Sequence, residues 1–266
     1  MLAAFRLALR LCVAALLLGA APARAGAFLE KPGEGQVIST LRFSQTNIAY
    51  DSSGHMVLVD YYRKFELNAL AEYGATDWLT VIFQPSLMSA SQVEPVPAKY
   101  TGLGRTDIGA RVALMRFEKG IISAQAVLAL PGSNARGNPM LDGQRGVEAD
   151  ARVLAGYSFE LWDRAGFANL EVGYRTRVDG WPNEVKIDTA FGLSVTERNQ
   201  LLIQTFSTFA GASVVQPKGM QSHKLQMSFV RKLGSHWSLQ TGGYVTVHGR
   251  NASLERGSLI ALWYRF

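Results

Sequence analysis

From Gln36 to the last residue, apolar and polar side chains alternate with a period of two, in twelve short segments. A period of two means that one face of each segment differs from the other, which is the signature of a half-buried strand. The segments cover about residues 35–46, 58–73, 78–88, 103–116, 121–130, 147–160, 166–176, 186–196, 200–209, 223–232, 237–248 and 257–266. In 147–160, Ala149, Ala151, Val153, Ala155, Tyr157 and Phe159 oppose Glu148, Asp150, Arg152, Ser158 and Glu160. The connections constrain the fold further. Those at 74–77, 117–120, 161–165, 197–199 and 233–236 are short, and those at 47–57, 89–101, 131–146, 177–185, 210–219 and 249–256 are longer. The two kinds alternate strictly. Twelve antiparallel strands with both ends on the short-turn side produce that order, as in a membrane barrel with short turns on one side and long loops on the other. A soluble sandwich has no need of such a two-sided rule.

The start of the chain fits export. Arg6 and Arg10 precede the apolar run Leu11–Ala21, and Ala23-Arg24-Ala25 offers a small-residue cleavage site before Gly26. The run is shorter than the roughly 20 residues of a spanning helix. Residues 1–25 are therefore expected to be a cleaved signal peptide and 26–266 a single barrel domain. Cys12 is the one cysteine and lies in the signal, so the mature chain has no disulfide and no cysteine metal site. Loss of Arg6, Arg10 and Arg24 lowers the formal net charge from +6 to +3. Neither that charge nor an exported destination suits nucleic acid as a partner.

Pro85 falls inside the third segment, where the missing N–H predicts a bulge or an early end to pairing. Arg63 interrupts the apolar face of the second segment and is placed near the outer loops, where a charge facing lipid costs less. Aromatic residues gather at segment ends: Tyr73, Trp78, Tyr157, Phe159, Trp237, Trp263, Tyr264 and Phe266. Such a set forms a girdle at a membrane interface.

With the apolar faces in lipid, the polar faces line the interior. Candidate lumen residues are Arg42, Lys64, Glu66, Glu72, Arg105, Asp107, Arg111, Glu148, Asp150, Arg152, Glu171, Arg175, Lys186 and Asp188. Both signs are present, which argues against a strongly cation- or anion-selective pore. The set reads either as ion pairs that fill a narrow barrel or as a charged constriction passed by a solute. About eight strands make a barrel filled by side chains, and roughly 16–18 leave a broad channel, so twelve lie between.

Catalytic and cofactor signals are weak. His55 lies in a loop, His236 in a turn, and His223 and His248 at strand ends, none in a short arrangement with an oriented partner. Gly102-Leu103-Gly104 precedes a strand and not a helix, so it does not read as a phosphate loop. No cofactor and no enzymatic activity is expected.

The final Ile260-Ala261-Leu262-Trp263-Tyr264-Arg265-Phe266 resembles the last strand of bacterial outer-membrane barrels, in which a terminal Phe is the assembly signal. Tyr73-Gly74-Ala75-Thr76-Asp77-Trp78-Leu79 and Tyr100-Thr101-Gly102-Leu103-Gly104-Arg105-Thr106-Asp107-Ile108-Gly109-Ala110-Arg111 resemble stretches of the phenol meta-pathway MetA-like transporters. Gly33–Ile38 and Lys64–Asn68 are similar to barrels associated with exopolysaccharide production. The resemblance implies the outer membrane as location, outer-membrane lipid and the barrel-assembly machinery as partners, and Phe266 as assembly signal. It suggests transport but supplies no ligand residues. The sequence thus points to an all-β, 12-stranded, up-and-down transmembrane barrel acting as a passive channel for small solutes. The alternatives are an accessory barrel with a closed lumen, serving envelope or polysaccharide secretion, and a lipid-modifying enzyme.

Overall fold

The computed structural model describes residues 26–93, 97–132, 140 and 146–266. Long antiparallel strands close into a ring. They are β1 (Gly35–Tyr50), β2 (Met56–Thr76), β3 (Leu79–Gln84), β4 (Ser86–Gln92), β5 (Ala98–Leu103), β6 (Thr106–Arg116), β7 (Gly120–Leu130) and β8 (Glu148–Leu161). They continue through β9 (Arg164–Thr176), β10 (Glu184–Ser194), β11 (Asn199–Ala210), β12 (Met220–Lys232), β13 (Trp237–Arg250), the two-residue β14 (Ala252–Ser253) and β15 (Arg256–Arg265). β3 and β4 both pair with β2, and together they form one barrel strand; β5 and β6 form the next. The wall therefore has twelve strands, closed by pairing of β1 with both β2 and β15. Closure matters because an open edge would leave unpaired N–H and C=O groups in hydrocarbon.

Pro85 is where β3 gives way to β4. Without an N–H it cannot continue the ladder on that side, but its carbonyl still accepts from the Ala69 amide at 3.2 Å. On the inner side the turns are tight. Trp162 and Asp163 both take positive φ, 51° and 57°, a two-residue hairpin turn whose twist matches that of the flanking strands. Leu128, Val153, Leu170 and Ile260 are among the many large apolar residues exposed on the outer face. In a membrane that exposure is to lipid, and it is the cause of the period-two pattern.

Three sequence expectations need correction. The first outer loop is not 47–57 but 51–55, because β1 and β2 keep pairing as far as Tyr50 and Met56. The Asp51 carboxylate tightens it by accepting from the Ser53 and His55 amides at 2.7 and 2.9 Å. The Pro-rich stretch 89–101 is largely strand, with β4 reaching Gln92 and β5 beginning at Ala98. Trp263 does not belong to the aromatic girdle. It is buried, packs against Val230, Ala261 and Ile38, and donates its Nε1–H to Gln240 Oε1 at 3.1 Å. Much of the predicted 131–146 loop lies outside the described residues.

The seam joins the two ends of the barrel. β1 and β15 pair from Gln36↔Arg265 to Gln45↔Arg256. Beyond the ladder Gly35 and Phe266 exchange both backbone hydrogen bonds, at 2.9 and 3.0 Å. Tyr264 stacks on Phe266 with ring centroids 5.9 Å apart, and Trp237 lies 4.6 Å from Tyr264. These rings form the inner-rim belt.

Candidate functional site

The interior contains an element with no period-two signal. Residues 26–34 leave the wall at β1 and run inside the barrel as an extended strap. At its root, the Gly33 amide donates to Gly74 O at 2.9 Å, and the Gly74 amide donates to Glu34 O at 3.0 Å. The approach demands glycine at 74, since a Cβ there would lie 2.1 Å from the Lys31 carbonyl oxygen. Further in, the Glu30 amide donates to Thr80 Oγ1 at 3.0 Å, Arg111 donates to Phe28 O at 2.9 Å, and Ser123 Oγ donates to Ala27 O at 2.9 Å. Ala27 is fully buried against Ile121 and Leu154, with Phe28, Leu29 and Ala113 packed around them. At the far end Gly26 reaches Asn169 and Glu171 on β9. The strap thus passes β2, β3, β6, β7 and β8 before it ends, held by wall groups aimed at its backbone. Between it and the opposite wall a cavity of about 840 Å³ opens toward the inner rim, lined in part by Phe28, Lys31, Gln200, Val230, Ser238 and Arg265.

Above the strap, one wall is a continuous ion-pair network. Arg152 is its hub, 2.7 Å from Asp150, 3.1 Å from Glu171 and 2.7 Å from Asp188. These partners sit on three neighbouring strands. Arg152 reaches across β9 because the residue facing it there is Gly173, where a Cβ would come within 2.7 Å of Arg152 Cγ. Arg175 contacts Asp150 at 3.1 Å and Glu148 at 3.6 Å. Glu148 also takes Arg105 at 2.6 Å and Arg177 at 3.1 Å. Arg105 holds Asp107 at 3.3 Å, Arg177 holds Glu184 at 3.0 Å, and Glu184 meets Lys186 at 3.5 Å. Arg111 stands beside this network, joined to Glu72 at 2.8 Å, and Gln36 donates to the other oxygen of Glu72 at 2.6 Å.

The other candidate lumen residues lie nearer the outer mouth. Lys64 and Glu66 pair at 3.0 Å, and Arg42 is half-buried opposite Glu66 in the β1–β2 register. Sequence reasoning missed Lys224 and Glu255, which form an ion pair in the same region. Arg177 and Glu184 were missed because 177–185 reads as a loop, although β10 already begins at Glu184. Glu255 lies in the last outer connection. Burial raises its carboxyl's pKa, but Lys224 and then Lys64 outweigh that and hold it down at about 2.

The opposite wall is built from neutral groups. Gln226 donates to Gln204 at 2.7 Å, and Gln200, Ser228, Gln240 and Thr246 are all buried along β11 to β13. The histidines do not form a catalytic set. His223 meets Ser207 Oγ at 3.0 Å and stacks on His248 at 5.9 Å, but among the described residues no carboxylate or amide side chain orients it. His55 pairs with Asp51 in the first loop, and His236 meets the Arg265 carbonyl at the inner rim.

No family model and no curated protein matches the sequence. Solved structures do. The chain is similar to the COG4313 outer membrane channel from Pseudomonas putida F1, with a TM-score of 0.71 and 16% identity, over 92% of this chain and 100% of that one. It is also similar to the translocator domain of the autotransporter NalP from Neisseria meningitidis, with a TM-score of 0.59 and 10% identity, over 90% of each chain. A third is the β domain of the Bordetella autotransporter BrkA, with a TM-score of 0.55 and 12% identity, over 88% of this chain and 100% of that one. At such identities the likeness is one of fold. The protein has the fold of the bacterial outer-membrane β-barrels.

Proposed function

We propose that this barrel is a passive channel for small solutes, that it carries no enzymatic activity, and that the strap 26–34 restricts its passage. One observation carries the reading. The interior holds a nine-residue segment that is not part of the wall, beside a cavity of about 840 Å³ with a mixed polar and apolar lining, open to the inner rim. A barrel built only as a rigid body would fill that volume with wall side chains, as smaller barrels do. The motifs shared with the phenol meta-pathway transporters, and the fold shared with a bacterial outer-membrane channel, favour the same reading. Ion pairs of both signs suit neutral or zwitterionic solutes better than one sign of ion.

Conductance in planar bilayers tests it. The full mature chain is expected to show small or rare openings, and a variant lacking residues 26–34 to show openings several-fold larger. If neither protein ever opens, the channel reading fails. The network that braces one wall would then favour the second reading, an accessory barrel in envelope or polysaccharide secretion with a closed lumen.

A further inference from the structure

Ion pairs join six carboxylates of the interior network, Asp107, Glu148, Asp150, Glu171, Glu184 and Asp188, to five cations, Arg105, Arg152, Arg175, Arg177 and Lys186. Among the described residues the network is one positive charge short. The shortfall has a location. Glu171 gives Oε2 to Arg152 at 3.1 Å, while its Oε1 faces the strap, 3.0 Å from where a Cβ on Gly26 would stand. The same virtual atom lies 2.7 Å from Asn169 Nδ2, and Gly26 takes a φ of +87°, so only glycine fits this seat without strain. Ala27, next in the chain, is fully buried. The strap therefore fixes Gly26 in register against a carboxylate that has one oxygen to spare.

We propose that the α-ammonium of Gly26, released when the expected leader is cut off after Ala25, is the network's sixth cation, paired with Glu171. An export endopeptidase adds water across the Ala25–Gly26 bond: Ala25 leaves as a carboxylate, and the Gly26 nitrogen becomes an amine that takes up a proton. An α-amine has an ordinary pKa of about 8, so it is charged at neutral pH before any help from Glu171. An uncut chain presents a neutral amide at the same point and leaves Arg152 as the one cation in direct contact with Glu171 among the described residues. Processing would thus do more than remove the leader, because it supplies the charge that seats the strap. A charge-assisted bond to a carboxylate is about twice as strong as a neutral one, which suits the end of the segment.

The pairing can be tested whether or not the barrel conducts. Protein purified from outer membranes is first weighed intact and sequenced from its N-terminus; Gly26 is the expected first residue, and any other start overturns the proposal. Reductive methylation at neutral pH then reads the amine's availability by mass spectrometry. In the folded barrel, methylation of the Gly26 amine is expected to be at least tenfold slower than in the unfolded chain. In E171Q, checked for folding by heat-modifiable migration, it is expected to speed up several-fold, whereas E171D should stay slow. Equal rates in folded and unfolded wild-type protein overturn the proposal without reference to any variant. A rate that stays slow in E171Q shows that burial alone shields the amine, and overturns it as well.

Discussion

The two walls of the lumen solve the same problem in different ways. Both must place polar side chains in an interior shielded by the barrel. From β8 to β10 the solution is ionic, with guanidinium groups bridging two or three carboxylates each. From β11 to β13, apart from the Lys224–Glu255 pair near the outer mouth, it is neutral, with buried amides and hydroxyls and local bonds such as that of Gln226 to Gln204. The ionic wall is connected, so one change spreads through several strands. The neutral wall is modular, and a change there stays where it is made. The strap crosses from β2 and ends on the first wall at β9; the free cavity lies toward the second.

That contrast can be broken most forcefully at Arg152. Arg152→Met leaves Asp150, Glu171 and Asp188 without their shared cation. Removing one partner from a buried pair costs roughly 3–5 kcal/mol, so unfolding in detergent should shift by that order or assembly should fail. A shift below about 1 kcal/mol would show that water screens this wall as it screens a surface pair. Gly173→Ala should come next. Its Cβ would push Arg152 away from the path to Asp188, at the roughly 1–3 kcal/mol typical of overpacking. On the neutral wall, Gln226→Ala should cost only about 1 kcal/mol, the ordinary net worth of one hydrogen bond. A loss as large as that at Arg152 would mean the two walls are equally connected.

At the outer mouth the effect is read as a pH dependence. The Glu255 carboxyl sits at about 2 in the folded barrel, below its ordinary 4.5. Its folded pKa is depressed, so its stabilising contribution is complete above about 4.5 and lost as pH falls toward 2. Melting midpoints measured from pH 6 down to 2 should therefore fall less steeply in Glu255→Gln than in wild type. Parallel curves would show that the ion pair with Lys224 does not stabilise the mouth.

The wall was legible in the sequence because lipid on one side and a polar lumen on the other impose a period of two on every strand. Pro85 was legible too, since a missing N–H acts on the ladder directly. The strap was not. Its nine residues meet wall groups from six strands one at a time, which leaves no repeat to detect, and Gly74 signals only that something approaches closely. Trp263 was misplaced for a related reason. Aromatic residues mark both interfaces and interiors, and only the Gln240 partner and the Val230 contact show which applies. The candidate charges could be listed from alternation alone, but their pairing depends on the stagger between strands. The reach of Arg152 over Gly173 is one instance of that stagger.

The seam has a consequence for the assembly of the barrel. The strap leaves the wall at Glu34, one residue before Gly35, and Gly35 is held by the two backbone bonds of Phe266. The Phe266 ring also occupies the space beside Gly35, 2.7 Å from where a Cβ would be. The root of the strap is thus anchored by a residue of β15's far end, and it is held only once β1 and β15 have paired. Closing the ring and fixing the strap are one event, made at the point where the first and last wall strands meet.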